Sequence, residues 1–365
     1  MACVMEGLYL SNVIPTQPIG SIPRPLALIE ATKAFDRGEL SPEAIEHLFD
    51  AAVRITLAEF EATGSPVISD GEQSKYHNFA SYCVHGLPNF APDGFKLQFV
   101  DHVRQWPRLT AGPFRYLQRA DSFLKRALAL TSVPVKQAVI SPSALSLFYP
   151  STPLPAYSRE AFLDDLLKEH ETEIRACLAL GAHTVQIDFT EGRLAYKLDP
   201  SGALLNSFVN LDNMALDRFS EVERRRIGVH TCPGGDCHTT HSLDVDYAEL
   251  LPSLFELNAG NFFIALACET DRPRILKMIA TYLKPHQMAF VGVIDPLNPQ
   301  VETAQQVCDR VLEAAKYIPL AQLGTTDDCG FAPFSDDTSR SRQLAFDKIR
   351  SRVEGTQMAS KLLMG

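Results

Sequence analysis

The sequence has none of the features that mark a secreted, membrane-embedded or nucleic-acid-binding chain. No stretch approaches the roughly 18 consecutive apolar residues of a membrane-spanning helix. Residues 1–10 lack the charged start and sustained apolar run of a signal peptide. The densest basic run, Arg224–Arg226, directly follows Glu223, and the net charge is −10, so no polyanion-binding surface is expected. We therefore expect a cytoplasmic protein that binds neither membranes nor nucleic acid.

The sequence also lacks the closely spaced cysteines of a disulfide-bonded domain. Its 8 cysteines are scattered along the chain, and in the cytoplasm such residues remain free thiols or bind metal ions. Three of them, Cys83, Cys177 and Cys308, fall in helical or inserted segments and are predicted to serve in packing. No internal repeat or low-complexity linker divides the chain. We expect one domain over residues 1–365, with room for an additional piece before the first strand.

What the sequence does contain is a regular alternation of short β-branched runs and amphipathic helical patterns. Eight strands that alternate with helices indicate a parallel sheet, and eight is the number that closes into a (β/α)8 barrel, the TIM barrel. A doubly wound open sheet is the main alternative. Residues 79–130, rich in Pro, Gly and aromatic residues, are predicted to form an inserted loop or lid after strand 2. The predicted strands are Val13–Gly20, Pro66–Ser69, Val133–Ile140, His183–Ile187, Arg226–Val229, Phe262–Ala267, Ala289–Ile294 and Leu320–Gly324.

The predicted helices have recognisable beginnings. Ser41 can accept hydrogen bonds from free N–H groups at a helix start, and Pro42 fits the first turn. The charge of Glu43 suits the positive end of the helix dipole. The clearest predicted helices are Ser41–Thr63, Arg159–Leu180, Tyr247–Leu257 and Val301–Tyr317.

Reactive or polar side chains follow nearly every predicted strand. In a barrel of this kind the chemistry takes place at the carboxyl ends of the strands. The convergence of these side chains on one rim therefore indicates a functional site. In chain order they are Ser21, Glu72, Ser141, Asp188, His230, Cys232, Glu269, Asp295 and Cys329.

Four of these residues have the ligand types that Zn²⁺ prefers, namely Cys sulfur, His nitrogen and carboxylate oxygen. His230 and Cys232 are two apart on an extended strand end, so both can point to the same face. Glu269 and Cys329 follow later strands at the same rim, and the four together predict a metal site. For His230 and Cys232 alone, the alternative is a hydrogen-bonded histidine beside a core cysteine.

Three further potential ligands follow the His-x-Cys motif closely. Cys237, His238 and His241 can compete for a metal, but the surrounding Gly, Asp and Thr residues indicate a mobile polar loop. We therefore expect this loop to contact the substrate or the metal ligands rather than the metal itself.

Taken in order, these motifs resemble the carboxyl-terminal catalytic barrel of the cobalamin-independent methionine synthases. The resemblance covers almost the whole chain, and the set of motifs is specific although each motif alone is not. The motifs are IGS at 19–21, VPVK at 133–136, QID at 186–188, HTC at 230–232, CETDR at 268–272, GVIDPLNP at 292–299 and DDCGF at 327–331.

The resemblance implies a site of defined composition, with one zinc ion held by the two cysteines, the histidine and the glutamate named above. It implies that Ile19, Gly20 and Ser21 hold the carboxylate of an amino acid substrate, and that Glu72 and Asp188 hold its amino group. From the residues alone, the alternative role of Ser21 is to cap a helix. Glu72 and Asp188 can equally be partners in buried salt bridges.

The resemblance further implies zinc-dependent methyl transfer from a methyl-folate to the thiol of homocysteine, which forms methionine. A free thiol has a pKa near 8.5, and coordination to zinc removes its proton. Two ligand thiolates and one carboxylate leave the site negative overall, which keeps the bound sulfur nucleophilic. The methyl-bearing nitrogen of the folate is a poor leaving group unless it is protonated, so a general acid is required.

Three departures from the family pattern bear on this expectation. The amino-terminal half of the full-length synthase is absent from this sequence, and Asp70 stands where the family has the histidine of a His-Gly-Glu motif. Leu297 stands where the family has its acid histidine. The remaining candidates for the acid are His238 and His241. Asp295 is a further catalytic candidate, whose alternative role is to orient a neighbouring loop.

The missing acid histidine leaves other functions open. A zinc-dependent thiol alkyltransferase can open an epoxide or take a methyl group from a corrinoid protein without an acid at position 297. A metal-free decarboxylase of the uroporphyrinogen type has a similar barrel, but the predicted histidine and cysteine ligands argue against it. A zinc-stabilised barrel without catalysis does not account for Ser21, Glu72 and Asp188 at the rim.

Overall fold

The computed structural model describes residues 13–365 and has an α/β fold with a six-stranded parallel sheet at its centre. The additional piece expected before the first strand lies outside the described residues, as does Cys3. The strands are β1 (Phe90–Ala91), β2 (Lys96–Gln98), β3 (Val103–Gln105), β4 (Arg108–Leu109), β5 (Gln137–Ile140), β6 (Val185–Asp188), β7 (Ile227–Thr231), β8 (Gly235–Asp236), β9 (Thr239–Thr240), β10 (Asn261–Ile264), β11 (Met288–Ile294) and β12 (Leu323–Asp327).

Helices connect the successive strands of the sheet. Within residues 13–365, none combines the length and the apolarity needed to cross a membrane. They are α1 (Leu26–Asp36), α2 (Pro42–Glu61), α3 (Ala120–Leu128), α4 (Pro142–Ser146), α5 (Arg159–Leu180), α6 (Gly192–Leu198), α7 (Ala203–Leu216), α8 (Glu221–Arg224), α9 (Leu251–Leu254), α10 (Arg272–Tyr282), α11 (Ala304–Ala314) and α12 (Arg342–Met364), with short 3-10 turns at Tyr247–Glu249 and Leu320–Gln322.

The neighbours in the central sheet follow chain order, as β5-β6-β7-β10-β11-β12, and every pair is parallel. A doubly wound sheet would instead reverse its strand order at a switch point, so that alternative is wrong. In the register of the sheet, His230 pairs with Asp188 on one side and with Phe263 on the other. The polar residues predicted at the strand ends are therefore neighbours across the sheet.

The first two predicted strands are the main departure from the expected strand pattern. They form single parallel bridges, Thr16 with Thr325 and Ile68 with Val135, at the two edges of the sheet. Both segments contain proline, which has no N–H to donate to a strand ladder. The other six predicted strands are confirmed as the six strands of the sheet, with ends that differ by a few residues.

Two predicted helices are confirmed together with their caps. The Ser41 hydroxyl accepts a hydrogen bond from the backbone N–H of Ala44 and begins α2. Helix α5 has the predicted bounds and is followed by Gly181, whose φ of 95° lies in the left-handed region that favours glycine. The helix predicted over 247–257 is instead a 3-10 turn followed by α9, because Pro252 lacks the N–H that would continue one helix.

Residues 79–130 pack their apolar side chains into the same hydrophobic core as the sheet. They contain two short antiparallel strand pairs, β2 with β3 and, enclosing them, β1 with β4, followed by α3. Phe79, Leu97 and Phe99 from this stretch line a cavity at the carboxyl ends of the strands. The segment therefore contributes a wall to the site described next.

Candidate metal and substrate site

A cavity of about 450 Å³ opens at the carboxyl ends of the parallel strands. This main cavity brings together most of the side chains that the sequence predicts for the site. Its lining includes potential metal ligands, buried carboxylates and aromatic rings. The predicted residues on its walls are Ile19, Ser21, Glu72, Asp188, His230, Cys232, His241 and Cys329.

His230, Cys232 and Cys329 form a compact cluster on one wall of the main cavity. One potential ligand atom from each lies within 4.8 Å of the other two, and the two sulfur atoms are 3.4 Å apart without a disulfide bond. The Nδ1 atom of His230 lies 3.3 Å from the carbonyl oxygen of Phe263, which orients the ring. Its Nε2 atom is buried and has no hydrogen-bond partner within residues 13–365. Such an orphaned nitrogen beside two sulfurs is suited to hold a metal ion.

The two thiols of this cluster titrate as a pair. The hydrogen bond from Cys232 holds the pKa of the Cys329 thiol well below its usual range, against the effect of burial, and the imidazole of His230 lowers it further. The same hydrogen bond, together with burial, raises the pKa of the Cys232 thiol well above its usual range. The cluster therefore favours one thiolate beside one thiol in a buried place.

The predicted fourth ligand, Glu269, is not part of this cluster. Its carboxylate instead pairs with the guanidinium of Arg193 at 2.7 Å. Arg193 is buried, lies over the ring of Tyr247 and donates to the carbonyl of Val245 at 2.5 Å. The structure thus brings three of the four predicted ligands together, and a buried arginine holds the fourth.

Ser21 lies on the main cavity wall and is buried. It does not cap a helix, because α1 begins at Leu26 and has no side-chain cap. Its carbonyl accepts the N–H of Phe331 at 2.9 Å and its hydroxyl accepts the N–H of Ala332 at 3.3 Å. A Cβ on Gly330 would lie 2.0 Å from the Ser21 hydroxyl oxygen. Only glycine therefore allows these two chain segments to approach so closely.

Ile19 and Gly20 place their backbone next to the buried carboxylates. Gly20 has a φ of 149°, and its carbonyl accepts the hydroxyl of Ser69 at 2.7 Å. A Cβ at Gly20 would lie 3.8 Å from a carboxylate oxygen of Glu72. The IGS motif and Glu72 are therefore in the same part of the cavity.

Glu72 and Asp188 are both buried and both line the main cavity. Glu72 forms an ion pair with the buried ammonium group of Lys75 at 3.1 Å, so the salt-bridge interpretation holds for this residue. Asp188 accepts the side-chain N–H of Gln186 at 2.7 Å. Burial raises the pKa of Asp188 to about 6, although the charge of His230 opposes the shift, and the charge of Glu72 adds to it. Two carboxylates on one cavity wall create an environment that favours a cationic group.

The loop after β7 places its two histidines differently. His241 lines the main cavity and lies 2.6 Å through Nδ1 from the Ser242 hydroxyl. Burial lowers its pKa to about 3, and the charges of Lys197 and Arg193 lower it further. His238 is exposed and does not line the cavity. Neither position therefore provides a protonated imidazole on the cavity wall at neutral pH.

A second cavity of about 400 Å³ lies beside the main one, and Cys329 lines both. Its walls include Asp295 and Leu297. The carboxylate of Asp295 accepts the N–H of Leu297 at 2.9 Å, which supports its alternative role as an orienting residue. A Cβ on Gly235 would lie 3.8 Å from the Leu297 side chain and 4.0 Å from the Cys329 sulfur. An apolar side chain therefore stands next to the sulfur cluster.

Two residues that support the site were missed by the sequence analysis. The carboxylate of Asp328 accepts three backbone N–H groups, from Leu266, Ala267 and Cys268, at 2.7–2.8 Å. It therefore holds the loop that leads to Glu269. The position of Asp328 next to the predicted ligand Cys329 could have indicated its role in the site. Nothing in the sequence around Arg193 indicated that it pairs with Glu269.

Comparison with known proteins places this geometry in a family. Residues 14–357 match the sequence model described as "Cobalamin-independent synthase, Catalytic domain". The chain is 24% identical over 363 residues to a methionine synthase of Sulfurisphaera tokodaii, covering 96% of this chain and 94% of that protein. Such a relative has the length of this chain and no additional amino-terminal half.

Two solved structures have the same fold. A B12-independent methionine synthase from Shewanella sp. W3-18-1, solved in complex with selenomethionine, superposes with a TM-score of 0.75 at 21% identity, covering 96% of this chain and 99% of that one. A putative vitamin-B12 independent methionine synthase from Listeria monocytogenes superposes with a TM-score of 0.68 at 22% identity, covering 94% and 98%. At these identities the likeness establishes the fold.

Proposed function

The chain belongs to the cobalamin-independent methionine synthase family, and from this premise we propose that it transfers a methyl group to the thiol of homocysteine and forms methionine. We propose zinc as the cofactor and a methyl-folate as the methyl donor. The observation that carries the proposal is the His230–Cys232–Cys329 cluster, which lines one cavity together with Glu72 and Asp188. The selenomethionine complex of the Shewanella relative supports a product of this kind.

The residues of the cluster fit a zinc ion. Two sulfurs and one imidazole nitrogen are common zinc ligands, and the Nε2 atom of His230 is buried without a hydrogen-bond partner among the described residues. His230, Cys232 and Cys329 would hold the ion, and Glu269 would join them after leaving Arg193. When bound, zinc supplies the chemistry that lets a thiol substrate lose its proton at neutral pH.

The remaining residues of the cavity would bind and orient the amino acid. Glu72 and Asp188 would accept hydrogen bonds from its ammonium group, which their negative charge favours. Ser21 and the backbone at Ile19 and Gly20 would hold its carboxylate. Apolar residues of the segment 79–130, such as Phe79 and Phe99, would exclude water from the sulfur.

We also propose the finer architecture around this site. The eight parallel segments would close into a (β/α)8 barrel, because the Ser69 hydroxyl donates to the Gly20 carbonyl and the Ile22 N–H donates to the Gly71 carbonyl across the gap between the two sheet edges. Residues 79–130 would be an insertion within a single cytoplasmic domain, and they would cover the site as a lid.

A second candidate function rests on Leu297 and His241. The position of the family acid carries an apolar side chain, and the histidine on the cavity wall has a lowered pKa, so neither would protonate a leaving folate nitrogen. An electrophile that needs no proton there, such as an epoxide or a methyl-corrinoid, would suit these residues better. The thiol would be activated in the same way as in methyl transfer from a methyl-folate.

One assay tests both candidates. Zinc-loaded protein would be incubated with homocysteine and, in parallel, methyl-folate with one or several glutamates, a methyl-corrinoid, or a small epoxide. Methionine from methyl-folate, lost in Cys232→Ser, is the result expected for the first proposal. Product only from the corrinoid or the epoxide would replace the first proposal by the second. No product from any donor would contradict both.

A further inference from the structure

A second group of potential metal ligands lies outside both cavities of the candidate site. Asp36, at the end of α1, meets His77 and His85 from the chain that follows the second bridge. One potential ligand atom from each lies within 4.8 Å of the other two. None of the three is buried, and Asp36 and His77 line an open cleft of their own.

A buried tyrosine holds these three side chains in place. The Tyr76 hydroxyl donates to an oxygen of Asp36 at 2.6 Å, and that oxygen also lies 3.4 Å from Nε2 of His77. The ring centroid of Tyr76 lies 4.3 Å from that of His77 and 4.1 Å from that of His85. The two imidazole centroids are 4.7 Å apart. The group therefore does not depend on freely moving surface side chains.

A distant segment fixes the backbone at His77. Its φ of 59° lies in the left-handed region that residues other than glycine rarely adopt. The carbonyl of His77 accepts the N–H of Ser335 at 2.7 Å, which holds this conformation. The backbone of this potential ligand is therefore held in place.

We propose that Asp36, His77 and His85 bind a divalent transition-metal ion, with zinc as the probe, at a second site. Two imidazoles and one carboxylate suit such ions, and a three-ligand site on the surface leaves a position for water. The ion would link the end of α1 to the start of the segment 79–130. The inference does not rest on the proposed function, because no residue of the main cavity takes part.

The test is a zinc titration of the full chain carrying Cys232→Ser, after a chelator has removed any bound metal. The Cys232→Ser substitution removes a sulfur ligand from the cavity cluster and so weakens zinc binding there. Isothermal calorimetry should record a binding step that depends on the surface group. His77→Asn, chosen because asparagine tolerates the left-handed conformation, and His85→Ala should each weaken that step by about 100-fold or more. His47→Ala, on the exposed face of α2, is the matched control and should leave it unchanged.

Cobalt in place of zinc gives a second readout. Bound at the surface group, it should lack the thiolate-to-cobalt absorption of a sulfur site, and His77→Asn should remove its visible bands. The proposal is overturned if the Cys232→Ser protein shows no binding step. It is equally overturned if the step survives both His77→Asn and His85→Ala.

Discussion

The guanidinium of Arg193 holds the carboxylate of Glu269 at 2.7 Å. Arg193 and a metal ion in the cavity cluster would therefore compete for the same carboxylate. We expect Arg193→Met, which keeps much of the buried volume, to raise the zinc affinity by about tenfold, a typical coupling between two sites. Competition with a chromophoric chelator measures this affinity. If neither Arg193→Met nor Glu269→Gln changes the zinc affinity, Glu269 is not a ligand of the metal ion.

The sulfurs of Cys232 and Cys329 should each be necessary for zinc. Replacing either with serine removes a thiolate ligand, and we expect the zinc affinity to fall by about 100-fold or more, with loss of methyl transfer. Cys308→Ala is the matched control, because Cys308 is buried in α11 and lies on neither cavity wall. Elemental analysis of the three purified variants checks this. Full zinc in Cys232→Ser and Cys329→Ser would contradict the assignment of the cluster.

The buried carboxylates should recognise the substrate ammonium group. For Glu72→Gln and Asp188→Asn we expect kcat/KM for homocysteine to fall by about 10–100-fold, the usual worth of a hydrogen bond to a charged group. A thiol acid that lacks the amino group should show little difference between parent and variants. Asp164→Asn, at an exposed position of α5, serves as the control. An equal loss with both thiols would indicate a structural role.

The stability of the protein should depend on the protonation of Glu173. Burial raises the pKa of this glutamate from 4.5 to about 7, although the N–H of Ala120 and the hydroxyl of Tyr82 donate to it. The folded state therefore binds the proton more tightly than the unfolded chain. The free energy of unfolding should fall as the pH rises through this range, by up to about 3 kcal/mol. Urea unfolding at several pH values should show this slope in the parent and a flatter one in Glu173→Gln. Glu354→Gln, on the surface of α12, should follow the parent.

Leu297 gives the sharpest test of the methyl donor. If the protein uses methyl-folate inefficiently for want of an acid, Leu297→His should raise its turnover by up to about 10²-fold, as a positioned acid does. Leu297→Asn is the control, since it adds polarity without an acid of suitable pKa. Methionine formation at saturating homocysteine measures the effect. Robust turnover by the parent, with no gain in Leu297→His, would mean that another group supplies the proton.

The sequence predicted those parts of the molecule that depend on interactions between residues close together in the chain. The cap at Ser41, both ends of α5 and the six strands of the sheet follow from periodicity and from the chemistry of single residues. The cluster of His230, Cys232 and Cys329 also followed, because strand ends of a parallel sheet meet at one edge. Each of these predictions depended on short-range pattern or on a simple rule of topology.

The parts that sequence did not predict depend on partners from distant elements. The pairing of Glu269 with Arg193 joins residues 76 positions apart, and no periodicity indicates which cation will lie beside which carboxylate. The first two predicted strands shortened to single bridges, because proline removes ladder donors in both. The protonation of His241 depends on its burial and on Lys197 and Arg193 beside it, which only the folded chain brings together.

The position of Cys329 between two cavities has a consequence for inhibitor design. The two compartments meet at this one side chain, so a ligand that extends past Cys329 would contact both. A group that enters beside Leu297 would find a largely apolar surface. An alkyl substituent on that group should therefore strengthen binding, by about 1–3 kcal/mol for a well-fitted methylene or two.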